Sequence, residues 1–221
     1  YVFVIKGVAA VSTRLYYNMK LKNYNKTTIE QCRILLAVCG LTLDEQMTEQ
    51  LTRLAALVRE WNTVASLVSA TDAALLEDRH IADALSLAPW ILAYAGLKGR
   101  LLDIGSGAGF PALPIKVVIP DLGVTLIERS AKKIGFLRRA VGALGLTNID
   151  VVHGEYPQVE VSRVHHVITA RAVEKPGRLL KAILAEVARG AVFLSQSGDA
   201  GTGLSDMFHV ELIRDAWTDA G

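Results

Sequence analysis

Five short runs in the second half of the chain, Leu101–Ile104, Val124–Glu128, Ile149–His153, His165–Ala170 and Ala191–Ser195, are rich in aliphatic and β-branched residues and bounded by Gly, Asp or Asn. Between them the apolar residues fall at helical spacing, as in Ile134, Leu137, Val141 and Leu144. Strand and helix alternating in this way predict an α/β fold with a doubly wound, mostly parallel sheet, because parallel neighbours need a long crossover that a helix supplies. Such crossovers are right-handed, and ligands collect at the carboxyl ends of the strands where the strand order reverses. Upstream, from Ile29 to Leu97, the period is helical throughout. Met47, Leu51, Leu54, Val58 and Trp61 share one face of a helix expected to start near Asp44. The pattern divides the chain into residues 1–28, a small helical region at 29–98 and the sheet domain at 99–221. That domain stops short of the last strand such sheets normally carry, which predicts either an unpaired edge or a chain that is incomplete at this end.

Composition excludes several classes. Hydrophobic residues at 51% and charged residues at 21% suit a buried core and not a disordered chain. The longest nearly apolar run, Leu85–Leu97, is interrupted by Pro89 and too short to span a bilayer, so no membrane association is expected. Cys32 and Cys39 lack the close spacing of zinc or redox motifs and read as reduced thiols of a cytoplasmic protein. None of the histidines pairs with a second His or Cys at ligand spacing, so no metal is expected. Charge is divided unevenly. Residues 1–28 carry Lys6, Arg14, Lys20, Lys22 and Lys26 and no acid, leaving 19 basic against 22 acidic groups elsewhere. With its four tyrosines this segment reads either as a non-native extension or as a basic arm for single-stranded nucleic acid.

The stretch LLDIGSGAGFPALP, Leu101–Pro114, follows the first strand of the sheet domain. A dinucleotide fingerprint requires glycine at its first, third and sixth positions. Gly105 and Gly107 fit, but Phe110 stands sixth and the third glycine comes early, at Gly109. What remains is an acid, Asp103, closing a strand, a tight turn, and a helix begun at Pro111, where a missing amide costs nothing. Glu128, closing the next strand, can accept from both hydroxyls of a ribose. This combination resembles the Rossmann-like S-adenosylmethionine-dependent methyltransferases.

A narrower resemblance spans Ile29 to about Arg214. EWNTVASL at Glu60–Leu67, RHIADAL at Arg79–Leu85, DIGSGAGFPALPIKVVIPD at Asp103–Asp121, KKIGFLRRA at Lys132–Ala140 and TARAV at Thr169–Val173 are similar to the RsmG (GidB) family. The resemblance implies an enzyme that methylates N7 of a guanine in bacterial small-subunit ribosomal RNA with S-adenosylmethionine as donor. It implies a monomer acting on ribosomal RNA or the small ribosomal subunit. That nitrogen carries a lone pair and no proton at neutral pH, so no catalytic acid or base is expected.

By the same resemblance, Asp103, Gly105, Gly107, Phe110, Glu128 and Arg171 are the expected cofactor-binding residues, with Phe110 equally suited to the core beneath the helix. Arg171 would also lie near the target base. Tyr156 is added from its position and aromaticity, as a ring to stack on adenine. Arg79 and the cluster of Arg129, Lys132, Lys133, Arg138 and Arg139 are candidates for RNA phosphate contact, and His80 reads as a structural histidine. Three positions depart from the family pattern: Glu155, His166 and Ser197 stand where the family carries other groups expected near the site. They leave open a degenerate cofactor- or RNA-binding protein without methyl transfer, or a methyltransferase for another RNA or small molecule.

Overall fold

The computed structural model describes residues 2–6, 29–161, 163–170, 178–196 and 210–213. In chain order these form β1 (Val2–Lys6), α1 (Ile29–Val38), α2 (Glu45–Ala65), α3 (Ala70–Ala74), a π-helical turn (Leu76–Ile81), α4 (Ala82–Ser86) and α5 (Ala88–Ala95). The sheet domain follows with β2 (Arg100–Ile104), α6 (Ala112–Val118), β3 (Gly123–Glu128), α7 (Ala131–Ala143), β4 (Ile149–His153), β5 (Val167–Ala170), α8 (Arg178–Ala188), β6 (Val192–Gln196) and β7 (Val210–Ile213).

Local chemistry sets the ends of the long helix α2. Asp44 accepts the amide of Met47 at 2.8 Å as an N-cap. At the other end Ser66 turns left-handed at φ 48°, and the Asn62 carboxamide oxygen collects the amides of Leu67 and Val68 at 2.8 and 2.9 Å. The apolar face expected from the sequence is the buried one: Leu51, Leu54 and Val58 are fully enclosed, and Met47 and Trp61 pack at its margin.

The sheet has the order β4-β3-β2-β5-β6-β1-β7. Its first five strands are parallel, while β1 lies antiparallel between β6 and β7. The edge of β6 is therefore covered by β1, where the sequence had predicted an unpaired strand. Successive residues of β2 face opposite sides, as the strand period demands. Leu101 joins the core shared with the helical region, along with Val124, Leu126 and Val167, whereas Leu102 and Ile104 join Ile127, Ile168 and Phe193 on the side of α8. Burying each such side chain contributes about 1.5–3 kcal/mol, enough to hold both faces of the sheet. The shared core runs from Leu36 and Leu54 through Leu85 to Leu113 and Phe136, so helical region and sheet pack as neighbours with no solvent layer between them.

Candidate active site

The chain runs from β2 outward through β3 to β4 on one side, and returns to β5 and β6 on the other. The switch point therefore lies between the carboxyl ends of β2 and β5, the place where open sheets of this kind take their ligands. Thr169 of β5 donates to the Asp103 carboxylate of β2 at 2.7 Å, and both residues are buried. The Asp103 backbone oxygen also takes the Ser106 hydroxyl at 3.0 Å. Asp103 thus ties the two strands beneath the crevice and holds the start of the turn.

Above it the glycine turn is folded back on the next strand. The amides of Gly105 and Ser106 both donate to the Ile127 carbonyl, at 2.8 and 3.0 Å. Gly105, Gly107 and Gly109 have φ of 72°, 54° and 81°, a region costly for any residue with a Cβ. Their surroundings differ. A Cβ on Gly105 would meet nothing within 4 Å, so its outer side is open and the residue is exposed. A Cβ on Gly109 would fall on the side chain of Leu113, 2.7 Å from its Cγ.

Glu128 joins turn, strand and helix. Its carboxylate is buried, with one oxygen accepting the Gly107 amide at 3.0 Å and the other the Ser130 amide at 2.8 Å. Each oxygen keeps a second lone pair for a hydroxyl donor. Ser130 in turn caps α7 toward the Lys133 amide at 3.5 Å. Open space beside Gly105 and a carboxylate with spare acceptor capacity fit the methionyl and ribose parts of S-adenosylmethionine.

Other expected site residues lie elsewhere. Phe110 is buried in the core beneath the turn and stacks on His80, with ring centroids 5.5 Å apart and planes at 29°. Tyr156 belongs to the α8 face, where it lines a cavity of about 300 Å³ with Leu102, His165 and Glu186. Burial and the neighbouring Glu186 carboxylate push its hydroxyl pKa up. The structure does not bring that ring to the glycine turn, because the chain leaving β4 turns toward α8. His166 also departs from expectation. It precedes β5 at the amino edge of the sheet, where its Nδ1 accepts the Arg100 amide at 3.1 Å and its own amide donates to the Arg100 carbonyl at 3.0 Å. The site is at the other end of β5, about 13 Å away at the rise of four extended residues. Glu155 is exposed in the turn after β4. Arg171 and Ser197 lie outside the described residues, as does the side chain of Arg79 in the π-helical turn.

Most of the basic cluster faces solvent from α7 and the turn before it. Ile134 and Leu137 of α7 are buried, while Lys132, Arg138 and Arg139 are exposed beside Arg129 and Lys133 is half-buried. Among the described residues none of these five side chains forms an ion pair. Trp61 of α2 packs against Phe136 and sets this helix in place, with ring centroids 6.2 Å apart. Among the described residues no group of three or more His, Cys, Asp or Glu could hold a metal ion, and no helix is long and apolar enough to cross a membrane.

Sequence reasoning missed two of the supporting residues. Ser130 stands just before a helical run and was findable as an N-cap. Thr169 opens the TARAV motif, but its bond to Asp103 had no local signal, since that partner lies on another strand.

The reversed strand order, the open glycine turn and the acid stitched to it define a Rossmann-like S-adenosylmethionine-dependent methyltransferase. A family model described as GidB, rRNA small subunit methyltransferase G, matches residues 47–200. The chain is 39% identical over 165 residues to the ribosomal RNA small subunit methyltransferase G of Roseiflexus castenholzii, covering 73% of this chain and 69% of that protein. It is 31% identical over 168 residues to the protein of that name from Marinobacter nauticus, covering 76% of each. Among solved structures, a SAM-dependent methyltransferase from Thiobacillus denitrificans in complex with S-adenosyl-L-homocysteine is 18% identical, with 49% of this chain and 43% of that chain covered at a TM-score of 0.39. The chain belongs to the rRNA small subunit methyltransferase G family.

Proposed function

We propose that this protein transfers a methyl group from S-adenosylmethionine to N7 of a guanine in small-subunit ribosomal RNA, in the cytoplasm and as a monomer. The observation that carries the cofactor assignment is the Glu128 carboxylate bonded to the Gly107 amide, which makes acid and turn one rigid cradle at the switch point. Bound S-adenosylmethionine supplies a methyl carbon on a sulfonium sulfur, electrophilic enough for direct displacement by a nitrogen lone pair. The residues of this chain then have a positioning task. Gly105 admits the donor's methionyl part, Glu128 holds its ribose, and Asp103 keeps β2 and β5 in register beneath them. Holding two reactants in line in this way contributes up to about 7–11 kcal/mol without any proton transfer. No side chain is assigned as acid or base.

Substrate class follows from family membership together with the solvent-facing cations of α7, which form no ion pair among the described residues. Cations on such a face displace counterions condensed on the RNA phosphates, so affinity should fall steeply with salt. The target guanine must be unstacked or otherwise accessible, because the deep major groove of A-form RNA hides N7. Incubation with labelled S-adenosylmethionine and small ribosomal subunits, deproteinised ribosomal RNA and total RNA tests the reading. Label recovered as 7-methylguanosine is the expected result. Cofactor binding with no label in any RNA would reject methyl transfer.

A further inference from the structure

The helical region reaches the glycine turn through His80. Leu76–Ile81 makes a single π-helical turn, a local widening that recurs at functional sites. Arg59 of α2 anchors this segment: its guanidinium pairs with the carboxylate of Glu77, and its Nε donates to the Ala73 carbonyl at 3.0 Å. The pairing holds the Glu77 carboxyl below its ordinary pKa. With the segment anchored, the His80 ring lies against Phe110, and its Nε2 stands 3.4 Å from a carboxylate oxygen of Asp72. Phe110 directly follows Gly109, the last of three glycines at positive φ. A turn built from such residues has wide conformational freedom of its own, and needs packing from outside to stand in one place.

We propose that His80 is a positioning residue for the cofactor turn: its imidazole, stacked on Phe110, braces that ring and thereby sets where Gly105–Gly109 stand relative to Glu128. The inference rests on the methyltransferase reading and extends it to the helical region, which contributes to donor binding without touching the donor.

The test compares wild type with His80→Ala and His80→Phe. The readouts are calorimetric affinity for S-adenosylmethionine, KM for each substrate, and thermal unfolding. His80→Ala should raise Kd and KM for the donor about 3- to 10-fold, the factor an aromatic pair supplies. KM for RNA should change less than twofold, and His80→Phe should restore donor affinity to within twofold because it keeps the flat face. Should His80→Ala not fold, His80→Gln, which keeps a polar group toward Asp72 but no ring, reads the same effect. Unchanged donor affinity in a folded ringless variant, or equal losses in His80→Phe and His80→Ala, would overturn the role of His80 while leaving the methyltransferase reading intact. No binding by the wild-type protein would overturn both.

Discussion

Alanine at Gly105 and at Gly109 should have unequal consequences, and the contrast follows from what surrounds each residue. Both glycines have positive φ, so either substitution costs about 1–2 kcal/mol from the left-handed backbone alone. At Gly105 the new methyl meets nothing within 4 Å, and that cost is the whole of the stability effect. At Gly109 the methyl falls on Leu113, which is fully buried and anchored by its amide to the Gly109 carbonyl at 2.7 Å. Overpacking then adds about 1–3 kcal/mol, giving about 2–5 kcal/mol in total. At about 2–4 °C per kcal/mol for a chain of this size, Gly105→Ala should lower the melting temperature by a few degrees and Gly109→Ala by roughly twice as much or more. Donor affinity should respond in another way. The Gly105 methyl occupies the open side proposed for the donor, so calorimetry should show Kd for S-adenosylmethionine raised at least about tenfold in a variant that remains folded. A Gly105→Ala protein that binds the donor within twofold of wild type would refute the placement of the site. A Gly109→Ala protein as stable as Gly105→Ala would refute the packing argument.

Glu128→Ala removes the acceptor of two backbone amides as well as the proposed ribose contact, so it should both weaken donor binding and destabilise the fold, by about 2–5 kcal/mol from amides left unpaired. Denaturant unfolding showing no stability loss would contradict the stitched turn, and an unchanged donor Kd would remove Glu128 from ribose binding. Replacing Lys132 and Lys133 together with Ala should lower RNA affinity and flatten its dependence on salt by about 0.7–1.8 in the log–log slope, with donor binding unaffected. Filter-binding curves at several salt concentrations that match wild type would return α7 to an ordinary solvated face. His165 is buried and bonded to the Thr125 hydroxyl at 3.0 Å. Burial first, then the charge of Arg100, lowers its pKa from 6.5 to about 4. The native state therefore resists the proton that the unfolded chain accepts, so this contribution is complete above about pH 6.5 and is lost as pH falls toward 4. Urea titrations should find wild type weaker at pH 5 than at pH 7.5 by about 1–2 kcal/mol from this group after solvent screening, and His165→Gln should lack that part of the slope.

Much of this arrangement was legible in the residue pattern. The five parallel strands fall within a residue or two of the β-branched runs, and α2 begins where Asp44 offers a cap, because period and capping are local properties. The turn was legible as well, since three glycines in five positions have few other uses after a strand. What the pattern could not express is which strand lies beside which, and which end of each faces the site. His166 adjoins TARAV in sequence and was expected near the pocket, yet the direction of β5 puts it at the far edge beside Arg100. Tyr156 follows the strand-end position expected of an adenine contact, but the turn after β4 carries its ring to the α8 face.

By itself, then, the sequence determined the five parallel strands, the helices between them and the glycine turn, for period, caps and turn residues are read over short stretches of chain. Only tertiary structure decided that β1 closes the edge of β6, that Thr169 locks Asp103, and that His80 crosses from the helical region to meet Phe110. Those contacts join residues 30 to nearly 200 positions apart, and they exist because burying both faces of the sheet, one against the helical region and the other against α8, leaves few ways to bring distant side chains together.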